Sequence, residues 1–451
     1  MRETLKSQGE MLRSLAACTT SSDPAPKPAQ LPAIASSALP AQPAAPAPSV
    51  QEKPATSVAG FRFSGDFRYR LDLQLRSGNE FTAPLQNARG RYRLRLNIDK
   101  DLAKGLSTHT QLSTGPLVNE ITNDQDFASL GVKHPFSISE AWMRYGQGGF
   151  NVRGGRMEEV FADGSRFLWD DDIRFNGFDA RQRVSLASRT ALEFRAAAYI
   201  LTNPNTPVVP AGSPFLAIGH APGQKVRDAV LFHPGAVLTT ASNGWRHQLT
   251  GTMLIYRNAD QIQLASSAAG FGTLASNGIG VTLSGPITAA GNAVISQGAP
   301  LLAARHWQIV HSGWRSDYPE LNLGKRTVPF YAEFQTALNA GTGSDRFAWE
   351  ATASLGSARR RGGVRGLYQY SYKQANSMIS QFTDDDLGTG TGVNIRVNTF
   401  RVDVGLTRFL EWHNILFVQD PIAGQRPGFF VPIPKGANTT FRYQGQLAFS
   451  F

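Results

Sequence analysis

Arginines at alternate positions are the residues of this chain best suited to act on a charged solute. Arg68 and Arg70 lie two residues apart, and Arg89 begins a run in which every second residue is an arginine. Alternate residues of a β-strand point to the same face, so the guanidinium fields within each run would add. The predicted basic wall comprises Arg62, Arg68, Arg70, Arg89, Arg91, Arg93 and Arg95.

Acidic residues between positions 158 and 172 could supply the opposite charge. They are Glu158, Glu159, Asp163, Asp170, Asp171 and Asp172. Opposed rows of acidic and basic groups create a transverse field that orients polar solutes. Two alternatives remain open: the carboxylates could be solvated or cap a helix N-terminus, and the arginines could pair with Asp66, Asp72 and Asp99 within the wall.

Metal and catalytic sites are not predicted. The Asp170–Asp172 run offers the hard oxygen ligands that Ca²⁺ prefers, but it lacks the spacing of an EF-hand. The eight histidines show no HExxH or His-x-His spacing, and GxSxG and P-loop motifs are absent. His109 and His247 have no serine partner visible in the sequence. We therefore expect neither an enzyme nor a cofactor.

From Gly60 onward, apolar and polar residues alternate with the period of β-strands. The closing segment is typical: Tyr443, Leu447 and Phe449 fall on one face, and Arg442 and Gln444 on the other. Strands are predicted near 60–77, 88–100, 105–114, 136–146, 149–157, 173–184, 188–202, 226–240, 245–257, 303–316, 326–339, 345–357, 362–375, 394–408, 411–419 and 439–451. Tight and long connections alternate between them. The expected fold is therefore all-β, an antiparallel barrel of about 16 strands with both ends on one side.

Composition agrees with a barrel that crosses a membrane with strands. Mean hydropathy is −0.24, and no run approaches the roughly 18 apolar residues of a transmembrane helix. The chain holds 27 phenylalanines and 11 tyrosines, which suit a lipid-facing surface. The net charge of +11 is spread through the strands instead of forming a basic tail or helix, so no nucleic-acid partner is expected.

The residues before the barrel divide into two further regions. Residues 1–18 have the composition of a short helix or coiled-coil remnant, and residues 19–59 form a Pro/Ala-rich sequence that predicts a disordered periplasmic linker. Residues 1–17 lack the apolar core of a signal peptide. We expect the export signal to lie upstream of this start or to have been removed. The barrel would then span residues 60–451.

Two sequence features carry a resemblance to known families. The aromatic end, with Phe449 and Phe451, resembles the assembly signal of Gram-negative outer-membrane barrels. The run GRMEEVF followed by LWDDDIRFNG, between residues 155 and 177, resembles the putative-porin family, as do the segments GRYRLRLNID at 90–99 and EAWMRY at 140–145.

The resemblance implies an outer-membrane porin that gives small hydrophilic solutes passive diffusion through a water-filled barrel. The basic wall would then line the pore with a mild preference for anions, and the acidic segment, in the third outward loop, would narrow it. The implied partners are outer-membrane lipid, the barrel assembly machinery and the solutes themselves, with a homotrimer as an open assembly state. The alternative is a plugged structural or adhesive barrel that is tethered through its N-terminal segment.

Overall fold

The computed structural model describes residues 56–116, 121–127, 133–162, 165–202, 227–262, 307–324, 326–384, 386–387, 392–423 and 435–451. The predicted helix at 1–18 lies outside these residues, as does the predicted linker up to residue 55. Thr56–Val58, at the end of the predicted linker, instead form a short strand that pairs with Phe61–Phe63.

Nineteen strand segments form one antiparallel sheet within the described residues. They are β1 (Thr56–Val58), β2 (Phe61–Arg76), β3 (Leu85–Ala103), β4 (Leu106–Thr114), β5 (Gln125–Asp126), β6 (Phe136–Gln147), β7 (Phe150–Met157), β8 (Phe175–Ala187), β9 (Thr190–Thr202), β10 (Ala229–Phe232), β11 (Gly235–Ser242), β12 (Trp245–Arg257), β13 (Trp307–Leu323), β14 (Arg326–Asn339), β15 (Phe347–Gly356), β16 (Val364–Lys373), β17 (Ile395–Gly405), β18 (Leu410–Pro421) and β19 (Thr440–Ser450). Among the described residues, no helix is long and apolar enough to cross a membrane.

Sixteen strands make the wall of a closed barrel. β1 and β5 are short additions at its edges, and β10 and β11 are two parts of one strand because both pair with β9 and β12. The wall closes where β19 pairs with β2, from Phe441 opposite Leu75 to Ser450 opposite Asp66. Closure leaves no unpaired strand edge. The predicted strand number is confirmed, and each predicted strand has its counterpart in the wall.

Apolar side chains point outward and polar side chains point inward. On β2, Phe67 and Leu71 are 41% and 40% exposed, whereas Arg70 and Asp72 are 2% and 1% exposed. A water-soluble protein of this size would bury its apolar face, because apolar burial is the main favourable contribution to folding. The outward aromatic belt therefore indicates a barrel surrounded by an apolar medium.

The two edges of the barrel differ in their connections. One edge has tight turns such as 243–244, where Asn243 and Gly244 both have positive φ (51° and 80°), as the two central residues of a type I′ hairpin require. The opposite edge carries the longer connections, including 115–135, 158–174 and 374–394. Both ends of the barrel wall lie at the short-turn edge.

The C-terminal residue lies at the closing seam. The N–H of Phe451 donates to the carbonyl of Gly65 (3.1 Å), and the N–H of Gly65 donates to the carbonyl of Phe451 (2.8 Å). A Cβ at position 65 would lie 2.5 Å from the Phe451 ring, so only glycine leaves room for this aromatic. Phe449 stacks beside it at 6.0 Å. The assembly role of these two residues stays a prediction.

Candidate functional site

Three chain segments from the long-loop edge fold into the barrel. They are 121–125, 158–174 and 375–387, of which residues 163, 164 and 385 are not described; we call them the inner segments. Their apolar side chains are buried, with Phe167 and Val160 at 0% exposure. The inner segments pack against wall residues that include Tyr199, Leu231, Leu254, Tyr256, Trp307 and Ile309. They therefore lie inside the barrel at its long-loop side, and the predicted narrowing of the lumen by segment 158–172 stays a prediction.

Two of the inner segments form one packed unit. Phe382 lies 6.2 Å from Trp169 and 6.1 Å from Phe175, measured between ring centroids. The N–H of Asp170 donates to the carbonyl of Phe382 at 3.0 Å. A movement of segment 158–174 would therefore displace segment 375–387 as well.

Polar groups of the wall hold segment 158–174 in place. Glu159 contacts His233 at 2.5 Å, and the other ring nitrogen of His233 lies 3.0 Å from the hydroxyl of Thr252. Lys373, on β16, donates to the carbonyl of Phe167 at 2.8 Å. Burial alone would raise the pKa of the Glu159 carboxyl, but His233 and the N–H of Phe161 outweigh it and lower that pKa.

Four of the seven predicted arginines are buried under the inner segments and paired with carboxylates. Arg68 contacts Asp124 at 2.6 Å, and Arg70 contacts Asp124 at 3.1 Å. The remaining contacts are Arg70 to Asp386 (3.0 Å), Arg91 to Asp126 (2.5 Å), Arg93 to Asp172 (3.1 Å) and Arg93 to Asp66 (3.4 Å). These guanidinium groups lie on the inner side of the wall, and their charge is already balanced there; their role as a pore lining stays a prediction.

The other three arginines are more accessible, and each is also paired. Arg62 contacts Asp101 at 2.6 Å near the short-turn edge. Arg89 contacts Asp72 at 2.9 Å, and Arg95 contacts Asp66 at 2.7 Å. The alternative of pairing within the wall thus holds for Asp66 and Asp72, whereas Asp99 contacts His109 (2.8 Å) instead.

The predicted acidic residues do not form a single row. Asp172 faces the basic wall and contacts Arg93. Asp171 contacts Arg166 at 2.9 Å, and Asp170 accepts the N–H of Asp172 at 2.7 Å. Glu159 is buried against His233, and Glu158 is exposed to the lumen with no ion pair among the described residues. Asp163 lies outside the described residues.

Two carboxylates of the inner segments, Asp124 and Asp386, are held in their ionised form by the arginines around them. Burial alone would raise the pKa of Asp124, but Arg68, Arg70 and Arg91 outweigh it and hold that pKa well below its usual range. The pKa of Asp386 is likewise lowered against the effect of burial, by Arg70, Arg442 and Arg166.

Among the described residues, the Asp170–Asp172 run is the candidate for a cation site. Its carboxylate oxygens lie within 4.8 Å of one another. Arg166 contacts Asp171, and Arg93 contacts Asp172. These guanidinium groups already balance the negative charge that would otherwise attract a cation. These residues fit an ion-pair cluster better than a metal site.

One histidine departs from the sequence interpretation. His247 does have a serine partner, because its Nδ1 lies 2.6 Å from the hydroxyl of Ser316 on the next strand. The pair lies on the outer face beside Trp245, which stacks on His247. Ser316 is 2% exposed, and no carboxylate among the described residues contacts the ring. A buried hydroxyl without an oriented base is poorly suited to nucleophilic catalysis.

Sequence reasoning missed the partners of the basic wall. Asp124 and Asp386 lie in connections that were expected to face outward, and Arg442 lies on the closing strand, 2.6 Å from Asp72 and 3.0 Å from Asp386. The alternation of β19 already placed Arg442 on the polar face, but it was not included in the predicted basic wall. The two aspartates carried no periodic signal.

Comparison with known protein families gives one match to part of the chain. Residues 77–222 match the family model described as putative porin. The resemblance predicted from the sequence is confirmed over these residues. No curated protein sequence matches the chain.

Solved structures of other proteins resemble the chain in fold. The high-pH structure of OprB from Pseudomonas putida has a TM-score of 0.50 at 12% identity, covering 87% of this chain and 94% of that chain. OmpT of Vibrio cholerae gives a TM-score of 0.45 at 9% identity, covering 88% and 100%. The anion-selective porin from Comamonas acidovorans gives 0.42 at 10% identity, covering 87% and 99%. At such identities the similarity to OprB shows the fold alone, and the two lower scores add no argument.

Proposed function

We propose that this chain is an outer-membrane porin that lets small hydrophilic solutes diffuse passively through its lumen, with a mild preference for anions. The observation that carries the proposal is the closed sixteen-strand wall with an apolar outer face and a charged inner face. Only closed barrels and helices can span a bilayer, because each backbone polar group must be satisfied within the protein. The charged inner face suits water-borne solutes.

The inner segments support a channel with a narrow zone. They project from the long-loop edge and pack against one side of the wall, near β9 to β13. Short turns on one edge and long connections on the other agree with the usual arrangement of such barrels in the outer membrane. The expected partners remain outer-membrane lipid, the barrel assembly machinery and the solutes, and a homotrimer remains a prediction.

Planar-bilayer recording tests the proposal directly. Purified full-length chain should insert and give stepwise conductance increases in KCl. Under a KCl gradient, the reversal potential should have the sign of mild anion preference. The absence of conductance from heat-modifiable, inserted protein would overturn the porin proposal, and a cation-selective reversal potential would overturn the preference.

A plugged structural or adhesive barrel is the second candidate, and the inner segments are the observation that favours it. Buried ion pairs tie them to the wall at Arg68, Arg70 and Arg93, and such contacts could close the lumen. The same recording separates the two functions, since a plugged barrel would insert without conductance.

A further inference from the structure

A second group of arginines lies on the inner face of β7, β8 and β9, away from the predicted basic wall. Arg153 on β7 contacts Asp179 through both ends of the carboxylate and donates to the backbone carbonyl of Glu158 at 3.1 Å. Arg195 on β9 contacts Glu193 at 2.6 Å and donates to the carbonyl of Val160 at 3.1 Å. Both side chains thereby support the start of segment 158–174.

Arg181, on the strand between them, differs from its neighbours. Its Cα lies opposite those of Arg195 on β9 and Asn151 on β7. No carboxylate of the described residues lies within ion-pair distance of its guanidinium, and its Nε is buried without a hydrogen-bond partner. A guanidinium offers five donors in a planar fork. Only the Nε donor of Arg181 is buried without a partner, and the half-buried guanidinium leaves its other donors to water or to an incoming acceptor.

The position of Arg181 makes it accessible from the lumen. Alternation along β8 places it on the inner face with Asp179, two residues or about 7 Å closer to the short-turn edge. Segment 158–174 is attached to the wall at the height of Asp179, because Arg153 contacts both Asp179 and the backbone carbonyl of Glu158. Arg181 therefore lies just beyond the narrow zone, on its short-turn side.

The local charge balance is also positive. On the inner face of β8 and its two neighbours, the basic residues Arg153, Arg181, Arg183 and Arg195 are opposed by Asp179 and Glu193. Two further carboxylates, both in segment 158–174, are acted on by the charge of Arg181. Glu158 is exposed and forms no ion pair with the described residues, whereas Glu159 is buried against His233. An unpaired guanidinium with an excess of positive charge around it attracts anions.

We propose that Arg181 forms an anion-binding subsite that takes the carboxylate or phosphate group of a small solute on its way through the lumen. The planar fork of the guanidinium matches two oxygens of either group, and such bidentate contacts are among the stronger hydrogen bonds in proteins. The amide of Asn151 lies on the adjacent strand to contribute a further donor. The subsite rests on the proposed porin function, because the solute must reach the lumen.

Anion block of single-channel current tests the subsite. Wild-type full-length chain in symmetric KCl should lose current in a saturable way when succinate or inorganic phosphate is added, and the two probes separate a carboxylate from a phosphate preference. In Arg181→Gln the half-blocking concentration should rise about tenfold or more, as expected for the loss of hydrogen bonds to a charged group. Arg181→Lys, which keeps the charge but not the fork, should lie between.

Arg183→Gln is the matched control, since it removes the same charge from the same strand face two residues away. It should shift the half-blocking concentration less than about threefold, because it weakens only the general field. Equal shifts in Arg181→Gln and Arg183→Gln, or the absence of block by both probes in a conducting channel, would overturn the subsite and leave the porin proposal intact.

Calorimetric titration of the detergent-solubilised barrel with phosphate and succinate keeps the subsite testable without conductance. Binding to wild type that is lost in Arg181→Gln would support the subsite even if the channel proposal fails. Equal heats for the two proteins would overturn it. The two proposals therefore fail by different measurements.

Discussion

The arginines of β2 and β3 and those of β7 to β9 share a residue type, an alternating spacing and an inward direction, yet they occupy different electrostatic environments. Arg70 is 2% exposed and contacts two aspartates of the inner segments. Arg181 is half-buried and contacts no described carboxylate. The difference comes from what lies opposite each strand, and it shows that the number of arginines on a strand does not measure the charge available to a solute.

The buried group on β2 and β3 acts as an attachment for the inner segments. Each of its guanidinium groups contacts at least one inner-segment carboxylate, and Arg93 also contacts Asp66 of the wall, so the field across the lumen largely cancels there. The group on β7 to β9 retains an excess of positive charge. The proposed mild anion preference would therefore come from the second group more than from the first.

Removing a buried arginine should have the largest effect. Arg70→Met leaves Asp124 and Asp386 with one fewer partner in a buried site, and we expect a loss of about 3–5 kcal/mol, as for other broken buried ion pairs. Arg181→Met, the matched change in the second group, should cost no more than about 0.5 kcal/mol. Urea-dependent unfolding from lipid vesicles would measure both. Similar losses at the two positions would contradict the contrast.

Placing a charge on the outer face of β3 tests which of its side chains point outward and which point into the barrel. Leu94 lies on the lipid side of β3 between Arg93 and Arg95. Leu94→Arg should cost about 2–4 kcal/mol near the bilayer midplane, whereas Leu94→Phe should be close to neutral in the same vesicle assay. If Leu94→Arg inserts as readily as wild type, the strand register and the inward direction of its neighbours are wrong.

A milder change should loosen an inner segment without disturbing the wall. Glu159→Gln keeps the shape but removes the charge that faces His233, and we expect a loss of about 1–3 kcal/mol, as for a weakened buried hydrogen bond to a charged group. Trp169, in the same segment, should report the change as faster fluorescence quenching by iodide. Glu158→Gln, the exposed neighbour, is the control, and equal quenching in both variants would count against the Glu159 anchor.

The smallest expected effect is a loss of stability at low pH. Because the pKa of Asp124 is lowered in the folded barrel, its stabilising effect is fully present above its unfolded value, about 3.9, and is lost as the pH falls through the lowered folded pKa. The unfolding midpoint should thus be flat from pH 8 to 5 and decline below about pH 4. A decline already complete at pH 5 would show that groups other than Asp124 govern the attachment.

Much of the wall could be predicted from the sequence, because each strand records its own two faces. The alternation of Phe67 and Tyr69 with Arg68 and Arg70 is a local property of β2, and the same holds for the arginines of β3. The strand number and the closing role of β19 follow from counting such segments. The residues of the inner segments have no comparable period, so their inward path had no local signal, and for segment 158–172 it was expected from the family resemblance alone.

The sequence by itself determined the barrel and the direction of each strand side chain, since a strand in lipid must present apolar groups outward along its whole length. The tertiary structure decided which of the inward charges remain available. Asp124 and Asp386 reach Arg70 across separations of 54 and 316 positions in the chain, and Arg181 lacks such a partner although its own strand looks alike. Charge pairing depends on distances between side chains in space, which an alternating pattern along one strand does not contain.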